Sequence, residues 1–151
     1  MKAILSNPYV TLCVRIFLGC VFCIAGIEKI SSPEAFASSV EAYKIIPYPL
    51  INIFALIVPW LELLCGLFLV VGIASRASAI VLFGLLIMFI AGIIFAMSRG
   101  LNIDCGCFGP GNASPVGWAK VLEDCGLVSL SLNIIGFPQS RYALENVLSQ
   151  T

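Results

Sequence analysis

The chain has 151 residues, of which 60% are hydrophobic and 11% charged, and its formal net charge is zero. So little charge cannot cover the surface of a soluble domain of this length, which points to a chain dissolved in a lipid bilayer. The lack of basic runs excludes a nucleic-acid partner, and the lack of any histidine removes the commonest metal ligand and general base, so no metal site is expected.

Four apolar segments, at 9–27, 50–73, 77–97 and 118–137, each have the roughly 20 residues needed to cross about 30 Å of hydrocarbon. The expectation is a single all-α membrane domain over 1–151. It is an integral membrane four-helix bundle with a short amphipathic surface helix between helices 1 and 2. In the first segment Arg15 leaves only four residues before Cys20, and "FLGC" is a poor cleavage site, so an uncleaved helix is expected. Arg15 is an intramembrane charge, whereas Glu28 and Lys29 read as the polar boundary at the outer end of this helix.

The stretch "SSPEAFASSVEAYK" follows, with Ser32 as a helix cap and Pro33 at the first helical position. Phe36, Val40 and Tyr43 recur at i, i+4 and i+7, the pattern of a short helix lying on the bilayer surface and ended by Pro47 and Pro49. It serves either as an anchor for its loop or as a lid. In the second span Pro59 frees a backbone carbonyl one turn before Glu62, and Gly66 lies on the same face as Glu62. Glu62 and Arg15 are long enough to approach each other, as a polar clamp between helices or as part of a proton path or quinone contact. The third span carries no charge from 77 to 97. The fourth opens with Lys120, Glu123 and Asp124, which places that end at headgroup level with Trp118 as an interfacial anchor.

Between the third and fourth spans lies "NIDCGCFGPGN", followed by the cap-plus-proline pair Ser114–Pro115. Of seven cysteines, Cys13, Cys20, Cys23 and Cys65 fall in apolar spans, where a thiol is an ordinary small hydrophobe. Cys105 and Cys107 instead stand in a polar, turn-rich loop. Gly106 lets the backbone turn sharply, and a disulfide between residues two apart is strained, hence oxidising and labile. Such a pair suits transfer of disulfide equivalents, one sulfur attacking and the other resolving. Asp104 opposes thiolate formation by charge repulsion, whereas the start of the fourth helix favours it. The alternatives are a structural bond to another cysteine, for instance Cys125, or a soft metal such as copper(I) on two thiolates. Cys125 and Cys23 are candidate relay thiols toward a lipid-soluble carrier.

Four spans place both termini on one side. Lys2, Arg76 and Arg141 on that side against Lys29, Lys44, Arg99 and Lys120 on the other leave the charge bias undecided. Thiol exchange works best outside a reducing cytosol, so the expected arrangement is the inner membrane with cytoplasmic termini and the Cys-Gly-Cys loop periplasmic or extracellular.

The segments "RIFLG" at 15–19, "GIEK" at 26–29, "PWLELLCG" at 59–66 and "CGCFG" at 105–109, in this order, resemble the DoxX-like membrane proteins and specifically their methylamine-utilisation branch, MauE. The resemblance implies a four-helix membrane protein tied to thiol redox. Cys105 and Cys107 would carry that role, and Arg15, Lys29 and Glu62 would be polar positions of the helical core. MauE-type proteins are associated with maturation of methylamine dehydrogenase, a disulfide-rich protein, which implies an extracytoplasmic thiol protein or a thioredoxin-like protein as partner beside the lipid bilayer. DoxX relatives include a subunit of a thiosulfate–quinone oxidoreductase, which makes quinone the candidate cofactor. The rival expectations are a quinone-linked oxidoreductase subunit and a non-catalytic membrane assembly factor.

Overall fold

The computed structural model describes residues 8–100 and 117–136. Every element among them is a helix: α1 (Pro8–Ser31), α2 (Pro33–Ala42), α3 (Tyr48–Val71), α4 (Ser75–Ser98) and α5 (Trp118–Gly136). Three of these, α1, α3 and α4, are long and apolar enough to cross a membrane. α5 is shorter, at 19 residues, and carries Lys120, Glu123 and Asp124 in its first two turns. The outward faces of α1, α3 and α4 are largely apolar. Ile24, Ile53, Leu56, Leu67, Ile80 and Ile94 are all exposed on the helices, as befits a multi-pass membrane protein whose solvent there is hydrocarbon.

α1 and α3 run antiparallel with their backbones in contact. A Cβ at Gly19 would lie 2.7 Å from the Gly66 carbonyl oxygen, and one at Gly66 would lie 2.8 Å from the Gly19 oxygen. Three residues from Cys23, Gly26 repeats the approach against Pro59 and Leu63, where a Cβ would meet the Pro59 oxygen at 2.9 Å. Lipid supplies no hydrophobic drive for helices to associate, so close van der Waals packing of small residues has to hold them. Leu18, Phe22, Cys65 and Leu69 flank this seam and form the main core with Ala79, Leu82, Leu86 and Ile134. A second, smaller contact between Ile93 and Val121 ties α4 to α5 at the other end.

α3 ends at Gly72, which has φ +85° and donates its N–H to the Phe68 carbonyl at 2.8 Å. The left-handed turn returns the chain directly into α4. A side chain at Gly72 would be strained by that positive φ, and its Cβ would displace the Arg15 guanidinium, which lies 2.9 Å from the position it would take.

α2 differs in detail from the sequence expectation. Pro33 is its first residue, but the Ser32 side chain makes no capping hydrogen bond. Pro47 and Pro49 do not end α2, which stops at Ala42. Pro47 is instead the N-cap of α3 and Pro49 lies in its first turn, where a missing N–H costs nothing. Phe36 and Val40 point not into lipid but onto Ile51, Ala55 and Val58 of α3. The apolar face of α2 is thus spent inside the protein, and α2 covers the end of the α1–α3 pair.

Gly66→Ala is expected to destabilise the fold by about 1–3 kcal/mol through overpacking against backbone, which cannot yield as a side chain does. Gly84→Ala, with nothing within 4 Å of its added methyl, should be neutral or stabilising. Thermal unfolding of both variants in the same lipid nanodiscs checks this; equal melting temperatures would rule out the tight seam.

Candidate functional site

The antiparallel register that seats Gly26 on Pro59 also sets where polar side chains meet. Helical side chains lean toward their own N-terminus. Lys29, near the end of α1, therefore leans back into the bundle, while Glu62 of α3 leans toward the end where α2 sits. They meet as a buried ion pair. Lys29 Nζ donates to both Glu62 oxygens at 2.7 Å, and the two residues are 2% and 1% exposed. Aromatic rings close the site, with Phe36 of α2 centred 5.4 Å and Phe89 of α4 5.1 Å from the Lys29 nitrogen, within range for cation–π attraction.

This corrects two expectations. Glu62 pairs with Lys29, not with Arg15, and Lys29 is buried between the helices. Arg15 is also buried, at 3% exposure, but lies against Gly72 at the opposite end of α3. Ten helical residues, roughly 15 Å at 1.5 Å per residue, separate Gly72 from Glu62 along α3. Arg15 is there beside the carbonyl-rich, electronegative end of α3, where a cation is favoured.

A third charged residue, not expected as part of any site, completes the cluster. Asp124 of α5 is 7% exposed and faces a small cavity of about 30 Å³ lined also by Lys29, Glu62, Phe22, Phe89 and Leu127. The signal was present in the sequence. Val121, Asp124, Ser131 and Ile134 follow helical spacing, and all four are buried, so Asp124 falls on the inward stripe of α5. Glu123 faces outward and is joined at 2.6 Å to Lys120, which is itself largely covered one turn before Asp124.

Beyond Phe89 lies a larger apolar cavity of about 450 Å³, bounded by Val40, Tyr43, Ile46, Phe54, Met88 and Phe95 among others. The Tyr43 ring rests against Gly92, and burial, followed by the nearby negative charge of Asp124, pushes its hydroxyl up to about 12, so it remains a neutral donor.

Cys105, Cys107 and Asp104 lie outside the described residues. The helix ends that carry their segment, Ser98 of α4 and Trp118 of α5, are at the Lys29–Glu62 end of the bundle, together with α2. Of the candidate relay thiols, Cys23 points into the α1–α3 seam, its Sγ 3.9 Å from the Leu63 carbonyl oxygen, whereas Cys125 points outward. Cys13 and Cys20 are exposed on the helix surface and Cys65 is in the core, all as free thiols. No group of three metal-ligating side chains converges among the described residues.

The chain matches the family model described as methylamine utilisation protein MauE over residues 7–137. It is 33% identical over 153 aligned residues to the methylamine utilization protein MauE of Methylophilus methylotrophus, covering 99% of this chain and 80% of that one. The protein of the same name from Methylorubrum extorquens is 36% identical over 128 residues, covering 84% and 69%. That from Paracoccus denitrificans is 33% identical over 135 residues, covering 89% and 73%. No solved structure matches.

Lys29→Met should cost about 3–5 kcal/mol, because it leaves the Glu62 carboxylate buried without its partner. The double variant Lys29→Met/Glu62→Met should recover most of that loss, since a well-packed apolar pair in a lipid-embedded core carries no desolvation penalty. Unfolding in nanodiscs measures both, and a double variant no more stable than the single one would contradict a directly coupled pair.

Proposed function

This chain belongs to the MauE family, and we propose that it serves methylamine utilisation as a membrane thiol-redox protein that exchanges disulfide equivalents through Cys105 and Cys107. The four apolar helices α1, α3, α4 and α5 form a bundle in the inner membrane, with termini in the cytoplasm and the Cys-Gly-Cys segment on the opposite side. The partner is an extracytoplasmic thiol protein or a thioredoxin-like protein, and the role is accessory to the maturation of a disulfide-containing protein. The observation that carries this reading is the pair of cysteines one glycine apart between the neighbouring ends of α4 and α5, within the residues matched by the family.

In the exchange, the Cys105 thiolate attacks a partner disulfide, forming a mixed disulfide and releasing one partner thiolate. The Cys107 thiolate then displaces the second, leaving a Cys105–Cys107 disulfide and a partner dithiol. Run in reverse, the same two steps deliver a disulfide to the partner. Two electrons move each way, with two protons. Reoxidation of the loop pair requires a two-electron acceptor, for which a lipid-soluble quinone is the fitting class.

A second reading, a quinone-linked oxidoreductase subunit in which the loop thiols are incidental, draws on the apolar cavity of about 450 Å³ beside the Lys29–Glu62 pair. It predicts that Glu62→Ala abolishes turnover while serine at both loop cysteines leaves it intact.

Thiol trapping in cells with a mass-tagged maleimide separates the two. Cys107→Ser should capture a mixed disulfide through Cys105, wild type should show both oxidised and reduced loop pairs, and a membrane-impermeant reagent should label the reduced form from outside. Loop thiols that are permanently reduced and shielded from that reagent would sink the thiol-exchange reading.

A further inference from the structure

The apolar cavity of about 450 Å³ is not sealed inside the bundle. Ile45, Met88 and Phe95 of its lining are exposed on the outer surface, where the solvent is hydrocarbon. Its volume falls in the range of ligand clefts, about 300–1,000 Å³. Among the described residues that line it none is charged and only Tyr43 is polar. Such walls suit an alkyl chain, which asks for no hydrogen bond, better than a ring whose oxygens need donors. Two cations stand at the rim. Arg99 directly follows α4 and is exposed, its guanidinium 4.6 Å from the centre of the Phe95 ring. Lys44 is exposed between Tyr43 and Ile45, both of which line the cavity. Its φ of +52° is a left-handed conformation that glycine or asparagine adopts at less cost. Neither cation is ion-paired with a carboxylate among the described residues, and Glu41, the acid nearest Lys44 in sequence, is exposed without an ion pair to it.

Lys44 and Arg99 lie just outside the spans of α3 and α4, at the same end of the bundle, which is the depth of lipid headgroups. An apolar slot open to hydrocarbon below two unpaired cations matches one kind of molecule in its surroundings. We propose that the cavity binds one anionic phospholipid, with an acyl chain among Tyr43, Phe54, Phe89 and Phe95 and the phosphate on Lys44 and Arg99. Both side chains pair with phosphate, arginine through its planar fork and lysine as a point charge. Phe89 is a wall common to this cavity and to the small one that holds Lys29 and Glu62. A chain seated against Phe89 therefore completes the apolar surround of the buried ion pair. Neither thiol exchange nor electron transfer depends on this lipid, and a quinone is its competitor for the cavity.

Native mass spectrometry counts bound lipid on the full chain, titrated in detergent with phosphatidylglycerol or with phosphatidylcholine of the same acyl chains. Phosphatidylglycerol should bind at one per chain and more tightly than phosphatidylcholine. Lys44→Asn/Arg99→Gln should weaken phosphatidylglycerol about 25-fold, at about 5-fold for each cation, and abolish the preference. Asparagine tolerates the left-handed turn, so the backbone there is kept. Arg76→Gln, at the opposite end of α4, should change nothing. Ala91→Trp, which fills the cavity from its exposed wall, should remove the one-lipid species for both lipids. Equal affinity for the two lipids, a preference that survives the double cation variant, a one-lipid species that persists in folded Ala91→Trp, or replacement of the lipid by decylubiquinone at one per chain would each overturn the proposal. Should Ala91→Trp fail to fold, the cation variants and the quinone competition decide the matter alone. Because none of these readouts requires the cysteines to turn over, they remain decisive even if the loop thiols prove inert.

Discussion

Two helix backbones in direct contact organise this molecule. Gly19 and Gly66 each leave the space that the other's carbonyl occupies, and Gly26 does the same for Pro59. In hydrocarbon a leucine on α1 gains nothing by leaving lipid for α3, so only contact at this range, summed over many atoms, holds the pair. That contact permits a single register. Slide α1 by one turn along α3 and Gly19 no longer faces Gly66, Lys29 no longer reaches Glu62, and Arg15 no longer sits beside Gly72. The two polar ends of the bundle are consequences of one apolar seam.

The helices were the legible part of the sequence, because each is written as a run of apolar residues whose length matches a bilayer. The polar partners were harder, for a geometric reason. Pairing Arg15 with Glu62 treats both as mid-membrane charges of opposite sign and ignores which end of each helix they occupy. Antiparallel helices joined on the α2 side bring the end of α1 to the start of α3, so the cation nearest Glu62 is Lys29. Its position beside Glu28 at the polar end of "GIEK" masks this, since Glu28 is half-exposed and Lys29, one residue on, turns inward. Asp124 was lost in the same way. Three charges within five residues read as a headgroup boundary, and that reading takes no account of facing: Asp124 is buried on the stripe of Val121, Ser131 and Ile134, Lys120 one turn before it is largely covered, and Glu123 is exposed.

The prolines show how local chemistry can be right and its assignment wrong. Pro47 and Pro49 do punctuate the chain, but a proline is as comfortable opening a helix as closing one, and here they open α3. Pro59, expected to free a backbone carbonyl in α3, leaves the Ala55 carbonyl without its N–H, and both residues are buried, so the break in the hydrogen-bond ladder falls on the inner face of α3 and not on the face toward lipid.

The role of α2 follows from where its apolar face went. A surface helix that floats on the bilayer keeps that face for lipid; α2 has used Phe36 and Val40 on α3, and Phe36 also lies over the Lys29 nitrogen. It therefore acts as a roof over buried charge. Without it, water would reach Lys29 from the loop side and the ion pair would become an ordinary headgroup contact, worth little. With it, the charges remain dry and the Lys29 ammonium stays committed to the Glu62 carboxylate. An anchoring helix and a buried ion pair are thus two parts of one arrangement: the amphipathic segment keeps the interior apolar enough that Lys29 and Glu62 persist there only as a pair.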